Sequence, residues 1–203
     1  MKHIKSMALA ASTAAAIMLG SGIASANNVV TVNTVQIFGT VDPAKINDYT
    51  EYMAGVNLYE ALTTLDGSGA IQPLLSESWS TSADGLTWTF KLKKGATFQD
   101  GSPIEAKDVV WSVNRLLAIN EGPSYLFEGV LSEGSVTEID SNTVQFKLEK
   151  TYAPFLTTTP ILFVVNSDLA KENAGDGDPW AQDYIANNSI GAGAFYLDSW
   201  ERG

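Results

Sequence analysis

The densest group of chemistry-bearing residues is the stretch NDYTEY, residues 47–52. It follows a run of β-branched and apolar residues, and binding residues are commonly carried by loops at such positions. A carboxylate here could pair with a cationic group of a ligand. Asn, Asp and Thr are also good helix N-caps, and capping is the preferred interpretation for Asp48. The candidate ligand-binding residues of this stretch are Asn47, Asp48, Tyr49, Thr50 and Glu51.

Other kinds of chemistry are limited by the composition. The chain has no cysteine, and its one histidine is His3. Beyond the N-terminal segment this excludes a Cys/His zinc site and a Ser-His or Cys-His catalytic pair. Asp176 and Asp178 lie close together, but a calcium loop needs more oxygen ligands, so a solvated loop is favoured. Carboxylates are numerous enough for a glycosidase pair, although no pair stands out. We expect no catalytic residue, no metal and no cofactor.

Residues 1–26 have the parts of a secretory signal peptide in the usual order. Lys2 and Lys5 form a basic start, an uncharged apolar run follows, and Ala24 and Ala26 occupy the small-residue positions of a cleavage site. An amphipathic or buried N-terminal helix is the alternative. We expect cleavage after Ala26 and a periplasmic location. The lack of cysteine predicts a chain without disulfides or a lipid anchor.

The charge balance restricts the partners. Removal of Lys2 and Lys5 leaves 10 basic against 23 acidic residues, a net charge of −13. A chain so acidic cannot assemble the basic patch that nucleic acids or anionic membranes require. We therefore expect a soluble exported monomer without a nucleic-acid partner.

The residue pattern predicts an α+β protein with several hairpins. Residues 29–38 are predicted to form a buried strand, and residues 48–65 a helix with one broad apolar face. Further on, residues 161–165 are predicted to form a short apolar strand, and the sequence GDGDP at 175–179 is predicted to form a loop. Residues 191–200 are predicted to form a glycine turn that leads into a strand.

The middle of the chain has the clearest periodicity. Residues 86–92 alternate between apolar and polar types, which predicts a strand of a hairpin that turns at Asp84-Gly85. Residues 136–139 and 143–148 predict a second hairpin. Between these hairpins, residues 109–117 have helical spacing, with Asp108 in the first turn and Arg115 in the last, where each would complement the helix dipole.

Three aromatic side chains fall on the apolar faces of these strands: Trp79, Trp88 and Phe90. Aromatic residues on the apolar side of an alternating strand usually belong to the core. We therefore interpret them as scaffold, although their density could also have indicated a ligand site.

Residues 57–117 resemble the extracellular solute-binding proteins of ABC importers, in the oligopeptide- and dipeptide-binding class, family 5. The motif GAGAFYLDSWERG at the end is also similar to this family. The matching positions are Tyr59, Glu60, Pro73, Glu77, Ser78, Trp79, Asp84, Gly85, Thr89, Phe90, Leu92, Lys93, Gly95, Phe98, Asp100, Gly101, Pro103, Ala106, Asp108, Val109, Ser112 and Arg115.

The resemblance implies a periplasmic-binding-protein fold of mixed α+β or α/β type, with two lobes and a hairpin-rich insert domain. Its expected parts are a signal peptide at 1–26, the first part of lobe I at 27–57, the insert domain at 58–165 and an incomplete return to lobe I at 166–203. Family members are much longer, so the second lobe is expected to be missing and solute binding by this chain alone to be weak.

By the same resemblance, residues 47–51 face the binding cleft, and Tyr125 stands where relatives have a tyrosine that contacts the ligand. Thr158 and Thr159 border the cleft. This sequence departs from the family pattern at two positions: Glu105 stands where the family has a better N-cap residue, and Ala194 replaces a usual proline.

The leading hypothesis is a non-enzymatic receptor that captures a peptide or related small solute, such as an oligosaccharide, for an ABC permease in the membrane. Two alternatives remain: an exported glycoside hydrolase with two carboxylates, and a ligand-sensing module that feeds a receptor.

Overall fold

The computed structural model describes residues 30–32 and 39–201. The expected signal peptide lies outside these residues, and so does the predicted strand 29–38 except for residues 30–32, which have no regular secondary structure. The chain divides into two compact units, residues 1–33 and 34–203. All elements described below belong to the second unit. No helix among the described residues combines the length and apolar character needed to cross a membrane.

The described elements are helices and strands that are mostly short. In chain order they are α1 (Tyr49–Leu58), β1 (Glu60–Ala61), β2 (Thr63–Leu65), β3 (Ile71–Pro73), β4 (Ser76–Thr81), β5 (Thr87–Leu92), α2 (Ala106–Ile119), the 3₁₀ helix η1 (Gly122–Phe127), β6 (Val136–Asp140), β7 (Thr143–Lys147), α3 (Phe155–Thr158), the 3₁₀ helix η2 (Thr159–Ile161), β8 (Phe163–Val164), α4 (Ser167–Glu172) and α5 (Gln182–Ile185).

A four-stranded antiparallel sheet with the order β4-β5-β7-β6 forms the largest part of the fold. The predicted hairpins are confirmed: β4 and β5 turn at Gly85, which has a positive φ of 71°, and β6 and β7 turn at residues 141–142. Asp84 and Asp140 each accept a hydrogen bond from the backbone two residues later, which closes the two turns.

The aromatic residues of this sheet are core residues, as predicted. Phe90 is fully buried, and Trp79 and Trp88 are partly buried against the core. Trp79 lies opposite Phe90 across the β4–β5 pair. The predicted helix is also confirmed as α2, which packs its apolar face onto β6 and β7.

The predicted helix 48–65 is wrong beyond Leu58. Its last residues instead form β1, which pairs with β8, and β2, which pairs with β3. The helix ends because a distant segment binds its last carbonyl groups: Gly193 N–H donates to Leu58 O and Phe195 N–H to Asn57 O. Periodicity alone cannot reveal this, because the partner lies more than a hundred residues away in the sequence.

Two strand predictions are corrected as well. The apolar stretch 161–165 supplies only the two residues of β8, because Ile161 still belongs to the preceding 3₁₀ helix and the partner strand β1 has only two residues. The segment 192–200 has no regular strand, although Gly193 and Phe195 bond to the end of α1. The loop at 175–179 is confirmed as a tight turn, with Gly175 and Asp178 bonded to each other.

Candidate ligand-binding site

A pocket of about 250 Å³ lies at the N-terminal end of α1. Three separate segments meet there: the loop before α1 together with its first turn, η1, and the end of η2. Its lining residues are Ile46, Asn47, Asp48, Tyr49, Tyr52, Pro123, Tyr125 and Ile161. We call this pocket the candidate site.

Asp48 is the N-cap of α1, as the preferred interpretation predicted. Its Oδ1 accepts a hydrogen bond of 2.9 Å from Glu51 N–H, which satisfies one of the free donors of the first turn. Asp48 also belongs to the lining of the pocket, where it is the one carboxylate among the described lining residues. Capping and ligand contact are therefore compatible for this side chain.

Glu51 lies behind the pocket rather than in its lining. Its carboxylate is buried, and its two oxygens accept hydrogen bonds of 3.0 Å from Gly39 N–H and Asn47 N–H. The side chain thus joins the loop before α1 to the helix itself. A Cβ on Gly39 would lie 2.8 Å from Glu51 Oε1, so a larger residue at position 39 would displace this carboxylate oxygen.

A buried ion pair holds the same loop from its other side. Arg115 and Asp42 form two parallel hydrogen bonds of 2.6 Å, and both side chains are almost completely buried. Asp42 also accepts from Ala44 N–H, and Arg115 Nε donates to Trp180 O at 2.8 Å. The expected role of Arg115 at the end of the α2 dipole is wrong, because its guanidinium turns inward to this carboxylate.

The wall opposite α1 is η1, which packs backbone to backbone against the loop. Gly122 has a positive φ of 49°, and a Cβ there would lie 2.7 Å from Ile46 O. Pro123 and Tyr125 extend from η1 into the lining. The candidate site is therefore built on a loop that Asp42, Glu51 and Gly122 fix in place.

The aromatic groups of the site differ in exposure. The side chains of Tyr49 and Tyr125 are 75% and 71% exposed, so a ligand could contact most of each ring. Tyr52 is half-buried, with its ring 5.9 Å from that of Phe163, and burial raises the pKa of its hydroxyl above the ordinary value. The site can thus stack an apolar group and offer phenol hydroxyls and one carboxylate as hydrogen-bonding partners.

The structure brings together four of the eight predicted residues: Asn47, Asp48, Tyr49 and Tyr125. Thr50 and Glu51 are buried next to the pocket without lining it. Thr158 and Thr159 are also buried: Thr158 Oγ1 donates to Phe155 O, and Thr159 Oγ1 bonds with Thr63 Oγ1. Their neighbour Ile161 lines the pocket instead.

Tyr52, Ile46, Pro123 and Ile161 line the pocket but were not among the predicted residues. Tyr52 could have been found, because residues three apart on a helix share a face and Tyr49 was already a candidate. Nothing in the sequence marks Ile46 or Ile161, because their place in the pocket depends on how segments far apart in the sequence meet.

The acidic turn at 176–178 has a structural role. Asp178 Oδ2 accepts a hydrogen bond of 2.9 Å from Asp183 N–H. Within residues 30–32 and 39–201 there is no group of three or more acidic or histidine side chains placed to hold a metal ion.

Residues 70–203 match the sequence profile described as bacterial extracellular solute-binding proteins, family 5 Middle. The chain belongs to this family. The matched residues include η1 and Ile161 of the candidate site, whereas residues 46–52 precede them. Members of family 5 bind solutes rather than transform them, so membership gives no support to the hydrolase alternative.

Two relatives illustrate the range of the family. The chain is 35% identical over 171 residues to the probable D,D-dipeptide-binding periplasmic protein DdpA of Escherichia coli strain K12, a match that covers 81% of this chain and 32% of that protein. It is 28% identical over 183 residues to the probable deoxycholate-binding periplasmic protein YgiS of the same strain, with 80% and 32% coverage.

The fold agrees with the sequence matches. The crystal structure of the substrate-binding domain of an oligopeptide ABC transporter from Bacillus anthracis strain Ames superposes with a TM-score of 0.69 and 26% identity, over 80% of this chain and 34% of that one. The chain therefore has part of the mixed α/β fold of periplasmic binding proteins. It spans about a third of the length of the curated relatives it matches.

Proposed function

We propose that this chain is part of the solute-binding component of an ABC importer and that it contacts a peptide or related small solute at the candidate site. The observation that carries the proposal is the meeting of Asn47, Asp48, Tyr49 and Tyr52 with Tyr125 in one pocket of a family 5 protein. The N-cap carboxylate of Asp48 and three phenol rings suit a ligand that has both polar and apolar groups.

The remaining parts of the proposal concern the whole protein. The chain is exported to the periplasm with cleavage after Ala26, acts as a monomer and delivers its solute to a membrane permease. Residues 27–57 and 166–203 belong to lobe I, and residues 58–165 form the insert domain. The periplasmic names of both E. coli relatives support this location. Electrophoresis and mass measurement of the protein from periplasmic extracts test the cleavage position and the monomeric state.

Ligand binding is tested by NMR, because amide shift mapping detects weak binding and locates it. The ¹⁵N-labelled chain is titrated with D-alanyl-D-alanine, L-alanyl-L-alanine and deoxycholate. We expect at least one of them to shift the amides of Asn47–Tyr52 and Tyr125 together. Absence of any shift there with all three compounds, or shifts confined to other surfaces, would contradict the proposed site.

A pair of matched variants separates ligand contact from general surface effects. Tyr125→Ala should weaken binding of the active solute by about tenfold, since the loss of a stacking aromatic costs about 1–2 kcal/mol. Tyr196→Ala is the control, because Tyr196 is 69% exposed and lies outside the pocket. Equal effects of the two substitutions would refute the role of Tyr125.

A further inference from the structure

A second and larger concavity lies on the other side of η1. Its volume is about 430 Å³, which falls within the usual range of roughly 300–1,000 Å³ for small-molecule sites, whereas the candidate site is below it. The two faces of η1 divide between the pockets: Pro123 and Tyr125 line the candidate site, and Ser124 and Phe127 line the second pocket.

The apolar part of the second pocket comes from α2, η1 and the loop before α5. It includes Leu117 on the last turns of α2, Phe127 and the indole ring of Trp180. The position of Trp180 is fixed, because its carbonyl accepts from Arg115 Nε and its ring lies 5.5 Å from that of Trp111. A flat apolar group could therefore pack against a preformed surface.

The rim of the second pocket is acidic. Glu128 and Glu133 line it with exposed side chains, and among the described residues neither forms an ion pair. Glu149 lies next to them, bonded to the lining residue Ser132. Two cations are near this rim: Lys150, whose Nζ would lie 3.4 Å from a Cβ on Gly129, and Lys147, which lines a neighbouring pocket together with Glu133 and Glu149. Three carboxylates against two ammonium groups leave a net negative charge at the rim, which favours a cationic ligand group over an anionic one.

One residue of the lining has an unsatisfied polar atom. Asn114 lines the pocket, and its Oδ1 is buried without a hydrogen-bond partner in the described part of the chain. Buried polar atoms without partners are uncommon in folded proteins. A ligand with a hydrogen-bond donor would supply this partner once the Asn114 amide turns toward the cavity.

We infer that the second pocket is a binding site for a small cationic ligand with an aromatic body, of the arylalkylamine class. The aromatic body packs between Leu117 and Trp180, and the ammonium group lies at the rim beside Glu128 and Glu133. This site is separate from the candidate site and does not depend on the function proposed for it.

Three probes that share one indole body test the inference. Tryptamine carries a cation, tryptophol is neutral and indole-3-acetate is an anion. Each is titrated into the ¹⁵N-labelled chain, and the amides of Gly129, Ser132 and Trp180 are followed. We expect shifts at these amides, with the affinity falling in the order tryptamine, tryptophol and indole-3-acetate. Absence of shifts there, or equal affinity for the cation and the anion, overturns the inference.

Two variants locate the contacts. The double substitution E128Q/E133Q should weaken tryptamine binding by about fivefold and leave tryptophol unchanged, since exposed charge pairs contribute modestly. The matched control is Glu138→Gln, an exposed glutamate on β6 outside the pocket, which should change neither affinity. An equal loss in the double variant and the control refutes the ammonium position.

Filling the pocket gives an independent test. Ala118 is exposed at the pocket edge, so Ala118→Trp can occupy the space without disturbing the core. It should abolish the tryptamine-dependent shifts while the remainder of the spectrum stays that of the folded chain. Unchanged tryptamine affinity in folded Ala118→Trp would place the probe elsewhere and overturn the inference.

Discussion

The described unit has two hydrophobic clusters that are built in different ways. The first, which we call the sheet core, lies between the four-stranded sheet and α2 and includes Phe90, Val113 and Phe146. The second, the junction core, collects side chains such as Ile46, Phe163 and Ile185 from distant segments of the chain. The sheet core follows the local alternation of its strands, whereas the junction core depends on long-range contacts.

Long-range polar contacts accompany the junction core. The Asp42–Arg115 pair spans 73 residues, Asp108 bonds to Ser167 across 59 residues, and Gln99 Nε2 donates to Leu58 O and to Gly193 O. A hydrogen bond or ion pair of this kind has a required geometry, while apolar packing tolerates more arrangements. The comparison suggests that burial stabilises the sheet core, and that polar contacts define how the junction segments meet.

The largest effect is expected from a cavity in the sheet core. Phe146 is fully buried and its ring contacts those of Phe90 and Phe155. Phe146→Ala should lower the free energy of unfolding by about 4 kcal/mol, because it removes buried area and leaves a cavity. Urea unfolding followed by circular dichroism measures this. Ile139→Ala is the control, since Ile139 is 57% exposed on the same sheet and should change stability little.

Breaking the junction ion pair should have the next largest effect. Arg115→Met should destabilise the fold by about 3 kcal/mol, because it leaves the buried Asp42 carboxylate without its cation. The double variant R115M/D42L should recover much of this loss, since neither charge then remains buried. Additive losses from the two single substitutions in urea unfolding would show that the pair is not a unit.

The sheet core was predicted well from the sequence, because the residue patterns that determine it are local. Strict alternation in residues 86–92, two turn sequences and a helical face determine β5, the hairpins and α2 without reference to distant residues. The junction was predicted poorly for the opposite reason. The end of α1 at Leu58 and the inward turn of Arg115 depend on partners far along the chain.

The candidate site falls between these two cases. Residues 47–49 and Tyr125 were predicted, because loops next to buried elements and the family resemblance both indicate them. The place of Glu51 behind the pocket could not be predicted, since a carboxylate that accepts backbone N–H groups has the same sequence as one that contacts a ligand. Only the position of the loop 39–47 distinguishes these two roles.

Asp108 offers a test of the polar contacts at the junction. Its carboxylate accepts from Glu105 N–H, Ser167 N–H and Ser167 Oγ. Asp108→Asn should lower the free energy of unfolding by about 2 kcal/mol. The NH₂ group of the asparagine would face one of these N–H or O–H groups and could not accept its hydrogen bond. The exposed pair of Lys107 and Asp168 provides the control, and Asp168→Asn should cost no more than about 0.5 kcal/mol.

The effect of Asp108→Asn on stability should also depend on pH. Burial raises the pKa of Asp108 despite its hydrogen bonds, so the folded state binds its proton more tightly than the unfolded state. This contribution to stability is fully present below the unfolded pKa and is lost as the pH rises through the raised folded pKa. The stability difference between the native chain and Asp108→Asn should therefore grow on acidification in paired urea titrations, and a constant difference would contradict it.

The smallest stability change is expected at Glu51, with a larger effect on the candidate site. Glu51→Gln retains the shape of the side chain but replaces one acceptor oxygen by an NH₂ donor. It should lower the free energy of unfolding by about 1 kcal/mol. The amides of Gly39 and Asn47 should shift in NMR spectra, and the solute that binds at the candidate site should bind more weakly. Weaker binding without a shift of the Asn47 amide would point to direct contact instead of positioning.

Three close backbone approaches have a consequence for how this protein can change. A Cβ on Gly122, Gly191 or Gly193 would lie within 2.7 Å of a main-chain oxygen, those of Ile46, Leu58 and Asn57 respectively. At these three crossings, where a glycine meets the main chain of another segment, the distance between the segments does not depend on the side chains that line the pockets. Evolution or engineering can therefore exchange pocket-lining residues such as Tyr49 and Tyr125 for new ligands while the crossings stay the same, provided that the three glycines are kept.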